Sequence, residues 1–538
     1  MTSPYLPDDC IHDILKHLQN NRSTLFNCLL VNRFWCRATV PLLYANPFDN
    51  VMINENHYLI ILTLILCFNK AEILQLKNQL KQLNQLKYNN NIDKIDIDIK
   101  DNYKPLFKYP KYLEKYDCFT VNCIIFEWFR NYLNLSYNHE IVKNFIPSFH
   151  QSNLRQCVNI RQFQISLHLF YNKTYNIQVL TSNLTHLNLL SLQDINDDVM
   201  AQEFLENVAN ICLNLRKFEI TSILYNNFIK TNETICTIIQ NQNNLKAFKI
   251  VQCTNLLDKV LVSLELQKHS LVYIEFEHVN FNNIPSKTFK YLCNLYNLKY
   301  LKFDNCEKFS SEQCKMLNFA SFNLKELIII HNGRNYNNTI LSMIKYLAPS
   351  LQRLSLIIGS LTIPIIEYLS IYCPNLNTLE IETTSIFNEL LFPYFKNLKV
   401  RILILRIINE NFINLAINLP ISVKEISINF YQSHDSPYFH YSLHNPHSLN
   451  FKEFLENCHN CLELINLNQF INLEFLSIIL NYIEKSNNNS LKFLGMKKLE
   501  KVLNDDESKL LDQIKAKGVE IVDFYNIYKD NTNFDFII

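Results

Sequence analysis

Along the second half of the chain one arrangement of apolar positions keeps returning: an aliphatic residue, another three places on, and a third two places further. From about Ile160 it reads LTHLNL at Leu184, LRKFEI at Leu215, LKAFKI at Leu245, LVYIEF at Leu271 and LKYLKF at Leu298. It continues as LKELII at Leu324, LQRLSL at Leu351, LNTLEI at Leu376, VRILIL at Val400 and VKEISI at Val423, with looser copies at Leu473 and Val519. Between Leu245 and Val423 successive starts lie 26, 27, 26, 27, 25, 24 and 23 residues apart, and a sustained period of this length marks a repeat architecture. Apolar residues two apart belong to a strand that turns both to one face. The residues between strands hold helical stretches such as Ser342 to Ser350. One strand plus one helix cannot cover its own apolar surface, so neighbours stack. The predicted fold is an α/β solenoid with parallel strands on a concave face and helices on a convex one.

The front of the chain is patterned differently. Cys10, Ile11, Ile14, Leu15 and Leu18 recur at spacings of three and four, one face of a helix. Pro7 suits the first helical turn, and Asp8 and Asp9 suit the positive end of the helix dipole. Leu25, Cys28, Leu29, Val31, Phe34 and Trp35 give a second helical stretch, and a third short helix is expected from Pro41. A block of this size, without metal or disulfide, sits near the lower limit of independent folding. Part of its apolar surface is therefore expected to be covered by something else. The expected organisation is a front block over 1–48, a helical connector over 49–150 with a mobile polar loop near 88–102, and repeats over 151–530, clearest over 184–428 and degenerate over 429–530.

Composition removes several alternatives. With 538 residues, 48% hydrophobic and 19% charged, the chain can bury a large core. Fifty-one Lys and Arg against 50 Asp and Glu give no overall preference for a polyanion, so nucleic acid is not an expected partner. The opening residues do not read as a secretory signal. The 16 cysteines are read as reduced thiols in the cytoplasm or nucleus. YLIILTLILCF, Tyr58 to Phe68, is too short to cross a bilayer core needing about 20 residues and reads as a buried helix; no membrane partner is expected. The only glycines are Gly333, Gly359, Gly495 and Gly518, too scattered for a phosphate-cradling loop or a G-x-S-x-G nucleophile elbow. No enzyme activity and no cofactor are expected. Asparagine runs read as loops, with Asn standing in for Gly at helix ends because it tolerates the left-handed conformation.

The densest collection of possible metal ligands is His434, His440, His444, His447, Cys458, His459 and Cys461. Cys458-x-x-Cys461 is a permitted zinc spacing. Yet CHNCLEL matches CPNLNTL at Cys373 and CLNLRKF at Cys212, so a repeat-core origin explains the cysteines without metal, and no metal site is assigned. Lysines and aromatics interleave from Lys100 to Tyr116 as in single-strand binders, but Asp101, Glu114 and Asp117 dilute them and the tyrosines read as packing. Cys118 and Cys123 read as core. Outward strand positions carry Glu219, Lys249, Glu275, Glu277, Lys302, Asp304, Glu326, Arg353, Glu380 and Glu382, a charged and mostly acidic track. Such a track serves either solubility or a protein substrate with basic character, with Ile328, Ile330 and Ile402 as apolar anchors.

From about residue 150 to 530 the repeats resemble leucine-rich repeat proteins. The family's Asn or Cys position, eight after the first leucine, is met by Cys253 and Cys306 but elsewhere holds Leu192, Val279 or Gly359, which implies a side-chain hydrogen-bond ladder kept only in places. The front block, Tyr5 to about Phe48, resembles an F-box. Leu6 and Pro7 open it, an apolar helix follows with Ile14, Leu15 and Leu18, and Leu29, Val31, Arg33 and Trp35 lead to the closing PLLY. The resemblance implies a three-helix F-box that binds a Skp1-like adaptor through Leu6, Pro7, Ile11, Ile14, Leu15, Leu18, Leu29, Val31 and Trp35. Through that adaptor it implies membership of a cullin-RING ubiquitin ligase, with the repeats holding a protein substrate. A repeat scaffold independent of ubiquitin transfer is the alternative.

Overall fold

The computed structural model describes residues 6–48, 58–85, 105–131, 144–170, 175–221, 229–253, 255–282, 284–331, 337–383, 389–407, 412–430, 446–470, 472–485, 490–497 and 503–527. The chain divides into two compact units, Met1–Leu245 and Lys246–Ile538. The expected loop near 88–102 lies outside the described residues.

The first unit opens with three helices, α1 (Asp8–His17), α2 (Arg22–Cys28) and α3 (Arg33–Ala45). The starts of α2 and α3 are set by asparagine side chains that accept from otherwise orphaned backbone donors of a first turn. Asn21 accepts from the Thr24 N–H at 3.0 Å, and Asn32 from Phe34 at 2.9 Å and Trp35 at 3.0 Å. The Asn32 cap corrects the expected third helix at Pro41: α3 already begins at Arg33, and Pro41 lies inside it, where it removes one ladder hydrogen bond. The apolar run at Tyr58 does form a short helix, Leu59–Ile65, with Ile61, Leu64 and Ile65 buried. Further on, Trp128, Phe129, Phe145 and Phe149 are fully enclosed, and Trp128, Phe129 and Phe145 pack ring to ring with centroids 5.0 to 5.7 Å apart.

Four strands of this unit run parallel in chain order: β1 (Lys115–Asp117), β2 (Gln162–Ser166), β3 (Leu189–Gln193) and β4 (Lys217–Thr221). The parallel sheet thus starts inside the stretch read as a helical connector, at the phrase LEKYDC from Leu113. The phrase at Leu184 is displaced by three. The side chains that enter the core of β3 are Leu190 and Leu192, so Leu187 opens that repeat.

The second unit continues the alternation with strands β5 (Ala247–Val251), β6 (Tyr273–Glu277), β7 (Tyr300–Asp304), β8 (Glu326–His331), β9 (Arg353–Ile358) and β10 (Thr378–Thr383). They are followed by β11 (Ile402–Ile407), β12 (Glu425–Phe430), β13 (Leu464–Phe470), β14 (Phe493–Lys497) and β15 (Glu520–Asp523). Each pairs in parallel with the next. Helices such as Asn337–Leu347 and Ile363–Tyr372 fill the intervals. The strand–helix alternation of each unit is that of an α/β solenoid. Two inward residues per strand form the core; on β7 they are Leu301 and Phe303, each 1% exposed.

The late copy at Leu473 is corrected: it opens a helix, Leu473–Lys485. L-x-x-L also describes one helical turn, so the phrase alone does not separate the two states. The strands of that region start from LELINL at Leu462 and LKFLGM at Leu491. Among the described residues, Asp194, Gln252, His278 and Asn305 have φ between 47° and 56° and each directly follows a strand, while Gly518, at φ 86°, closes the helix Asp505–Ala516.

A side-chain ladder exists, but mostly one to four residues before the first apolar residue of a repeat rather than at the family's position. Asn183, Asn297, Asn375 and Asn460 each donate from Nδ2 to a backbone carbonyl of the preceding repeat, at Leu154, His269, Pro349 and Pro420, over 2.7 to 3.1 Å. Ser350 and Ser422 do the same toward Leu324 and Val400, both at 2.8 Å. At the family's own position Cys306 donates from Sγ to the Phe276 carbonyl at 3.2 Å.

Candidate docking surfaces

In the front block Ile11, Leu15, Leu25, Cys28 and Leu43 form a small core, against which Leu18, Leu29, Phe34, Trp35, Ala38, Leu42 and Tyr44 pack with part of their surface still open. Arg22 ties the end of α3 down, donating to the carbonyls of Asn46 at 2.8 Å and Leu43 at 3.3 Å. The block is joined to the residues that follow by Tyr44 against Tyr109, centroids 4.3 Å apart, and by the Glu114 N–H to the Ala45 carbonyl at 2.8 Å.

Once this core is made, a set of apolar side chains remains in solvent. Leu6 is 46% exposed, Ile14 39% and Val31 59%. Leu6, Cys10 and Ile14, all exposed, follow at intervals of four and mark one stripe along the start of α1. The structure therefore sorts the residues that the F-box resemblance singles out. Leu6, Pro7, Ile14 and Val31 are exposed, Leu18, Leu29 and Trp35 are half-buried, and Ile11 and Leu15 sit in the block's own core. Two further exposed residues, Phe26 at 61% and Leu30 at 79%, were missed. They flank Cys28, and a helical wheel through Leu25 and Cys28 leaves both on its opposite side.

On the second unit the register aligns outward side chains into rows. One row reads Lys249, Glu275, Lys302, Ile328, Ser355, Glu380 and Ile404. The next, toward the strand ends, reads Val251, Glu277, Asp304, Ile330, Ile357, Glu382 and Arg406. The charges neutralise one another in two alternating chains. In the first, Lys249 Nζ lies 3.1 Å from Glu275 and 2.6 Å from Glu277, and Lys302 Nζ lies 3.0 Å from Glu275 and 3.1 Å from Asp304. In the second, Arg353 lies 3.1 Å from Glu326 and 3.3 Å from Glu380, and Arg406 lies 2.9 Å from Glu380 and 3.4 Å from Glu382. Each chain holds three carboxylates and two cations. Arg406, absent from the expected track, completes the second, and its place as an outward residue was legible in VRILILRI. Glu219, on β4 of the first unit, pairs instead with Lys217 at 2.8 Å.

Burial and partners act against each other in these chains. Burial alone would raise the Glu275 carboxyl, but the Tyr273 hydroxyl, donating at 2.6 Å, and the Lys302 and Lys249 ammoniums hold it below the usual range. Burial likewise works to lower Lys249, and Glu277 and Glu275 hold it above its ordinary value. Glu326 is different. Burial pushes its carboxyl up to about 7, with Arg353 opposing and Glu380 adding to the rise. Its Oε1 and Arg353 Nε stand 3.1 Å apart but out of hydrogen-bond alignment.

Toward the C-terminal strands the outward rows are covered. Ser427 and Asn466 are 2% and 1% exposed, and Asn466 Nδ2 donates to Ser427 Oγ at 3.1 Å and to the Phe524 carbonyl at 3.4 Å. Gly495 must lack a side chain, since a Cβ there would lie 2.0 Å from Asn466 Oδ1 and 2.3 Å from the Ile527 side chain.

Among the described residues no three potential ligands gather into a metal site, and no helix is long and apolar enough to cross a membrane. His434, His440 and His444 lie outside the described residues, and the side chain of His447 is likewise not described. Burial pushes the Cys458 thiol up to about 11, so it is protonated near neutral pH. Of the pair read as core, Cys118 is buried, but Cys123 is exposed on the opposite side of its helix. Tyr109 and Tyr116 are packing residues: Tyr116 is fully buried, and its hydroxyl meets His150 Nδ1 at 2.7 Å.

The class defined by these observations is a repeat protein of α/β solenoid units preceded by a three-helix block with an uncovered apolar stripe. No family model and no curated protein matches the chain. Among solved structures, a chain of the crystal structure of the Rad7 and Elc1 complex in yeast is similar at 15% identity and a TM-score of 0.32, over 74% of this chain and 91% of that one. A likeness at that level is no ground for carrying a property from one chain to the other.

Proposed function

We propose that the chain is a non-enzymatic substrate-recognition subunit of an SCF-type ubiquitin ligase, acting in the cytoplasm or nucleus. In this reading the front block is an F-box that docks on a Skp1-like adaptor and the repeats hold a protein substrate. Ubiquitin is transferred by other subunits, which gain by holding donor and acceptor together at high effective concentration. The observation that carries the reading is the split within the front block. Ile11, Leu15 and Leu25 close a core, while Leu6, Ile14, Phe26, Leu30 and Val31 remain exposed. A helical cap that served only this chain would have no use for so much open apolar surface; a foreign subunit covering it gains roughly 25 cal/mol per Å² of apolar area buried.

The test is capture of purified Skp1 by the full chain and by Leu6→Asp and Val31→Asp variants. Both positions are exposed, so melting temperature should stay unchanged while capture falls by tenfold or more, because an unpaired carboxylate would be buried at the interface. Skp1 capture retained by both variants, or no capture by the unaltered chain, would refute the proposal. Trp35 is a poorer probe because it packs against the core of the block. Skp1 capture without recruitment of a cullin would favour the scaffold reading.

A further inference from the structure

The sheet of the second unit has a rim at the N-terminal ends of its strands. The residues just ahead of β5–β12 are held in register by backbone hydrogen bonds from each to the one before: Val272 donates to Lys246 at 2.8 Å, Lys299 to Val272 at 2.9 Å and Lys325 to Lys299 at 2.8 Å, and the series runs on to Lys424. The segments that lead into β6–β12, residues 267–272, 294–299, 320–325, 348–352, 373–377, 396–401 and 418–424, hold seven Lys and Arg and no Asp or Glu. At the far end Arg401 reaches Glu425 at 3.4 Å and Lys424 reaches Glu463 at 3.0 Å. Lys246, Lys299 and Lys325 form no ion pair among the described residues, and Glu326, next to Lys325, is turned to Arg353. Lys299 and Lys325 stand side by side on adjacent strands, about 4.8 Å apart, where like charges repel. A surface serving solubility alone would intersperse the two signs. Beside this row the loops expose apolar side chains, Leu266 at 62%, Tyr296 at 45% and Phe319 at 70%. Leu266 and Phe319 hold equivalent places, each five residues before the first leucine of its repeat, and Tyr296 lies in the loop between them.

From these features we propose that the rim over β5–β8 binds an extended segment of a partner protein in which acidic and bulky apolar residues alternate. The inference deepens the reading of the repeats as a substrate-binding surface and rests on it. The partner's sign is opposite to that expected from the outward track, whose charges already answer one another. Successive side chains of an extended segment point to opposite sides. Lying between the two lines of residues, such a segment turns its carboxylates at i, i+2 and i+4 to the lysines and its apolar residues at i+1 and i+3 to Leu266, Tyr296 and Phe319. The lengths agree: Lys246 and Lys325 are three strand spacings apart, about 14 Å, and residues i and i+4 of an extended peptide are about 13 Å apart. A carboxylate placed between Lys299 and Lys325 offsets their repulsion, and neither lysine has an ion pair among the described residues to give up. A basic segment would add to the repulsion. A nucleic-acid strand carries negative charge but no aliphatic side chain to cover Leu266, so it would use only the cationic half of the rim.

The experiment is fluorescence anisotropy on the full chain with labelled twelve-residue peptides of glycine and serine carrying Glu-Leu-Glu-Leu-Glu, Glu-Glu-Glu-Leu-Leu or Lys-Leu-Lys-Leu-Lys, and with a labelled twelve-nucleotide oligothymidine. The alternating acidic peptide should bind at least tenfold more tightly than the basic peptide and the oligonucleotide and at least threefold more tightly than the blocked one, and its affinity should fall as salt is raised. The Lys299→Gln, Lys325→Gln double variant should weaken it about tenfold and Phe319→Ser about threefold. Lys509→Gln with Lys515→Gln, on the exposed face of the helix Asp505–Ala516, should leave it unchanged. Binding of the basic peptide or the oligonucleotide as tight as that of the acidic peptide, equal binding of the two acidic peptides, or an affinity that the rim variants do not change or that the distant pair lowers as much would overturn the proposal. Circular dichroism melting separates loss of binding from loss of fold: a rim variant that melts early is replaced by Lys325→Gln alone, at an exposed position, judged by the same criterion. No ubiquitin component enters this measurement. A lost preference for the acidic peptide with Skp1 capture intact therefore sinks this inference alone, and lost Skp1 capture with the preference intact sinks only the ligase reading.

Discussion

The front block and the outward face of the second unit meet water with opposite chemistry. The block leaves aliphatic and aromatic side chains open after its own core is complete. The sheet face displays ten charged side chains over β5–β11, yet each cation is shared by two carboxylates of the same chain. Unsatisfied apolar surface calls for a foreign cover, whereas charges already paired contribute to holding neighbouring strands in register. Exposure alone therefore does not identify a binding site; what matters is which part of its chemistry the chain has already answered.

Four substitutions test that contrast. The largest effect is expected at Glu380, 5% exposed and shared by Arg353 and Arg406. Glu380→Ala leaves a largely buried Arg353 with a single carboxylate and should cost about 3 kcal/mol in urea unfolding; a cost below about 1 kcal/mol would mean that the ion-pair chain is ornamental. Next comes Glu326→Gln. Its folded carboxyl keeps its proton up to about pH 7 against an ordinary value of 4.5, so folding takes up a proton in that window. This group's contribution is then fully present below pH 4.5 and lost as pH rises through 7. The whole decline is on the order of 3 kcal/mol. The variant should show a flatter stability profile from pH 4.5 to 7, and an identical slope in both proteins would remove the assigned cause.

Smaller still is Asn460→Ala, which leaves the carbonyls of Pro420 and Val423 without the donors they have at 2.7 and 3.0 Å. Roughly 1–2 kcal/mol is expected, read as a lower urea midpoint. The smallest stability effect belongs to the front block: Val31→Ser should move unfolding by no more than about 0.5 kcal/mol, since its side chain is 59% exposed. A larger shift there would show that the stripe serves this chain's own fold.

Much of this architecture was readable in advance. The L-x-x-L-x-L period placed the strands from Leu215 to Val423, because an inward pair two residues apart is a local property of the chain. It failed at Leu473, where the same letters lie on a helix, and it slipped by three at Leu184, where three overlapping leucines offer more than one register. The order Leu6, Pro7, Val31 and Trp35 was visible as a pattern, but that Ile11 points inward while Ile14 does not depends on which face α2 and α3 cover. The outward charges could be assigned from strand parity alone, as could Arg406.

The sequence by itself determined the repeat, its strand and helix content and the absence of glycine-rich catalytic loops, since all of these follow from spacing and composition along the chain. Only the tertiary structure decided which charges meet, where Glu326 becomes hard to ionise, and how far the open sheet face extends before Phe524 and Ile527 cover it. Coulomb attraction and burial act over a few ångströms of space between residues about 25 positions apart in the repeat, and that proximity exists only once the strands have taken their register.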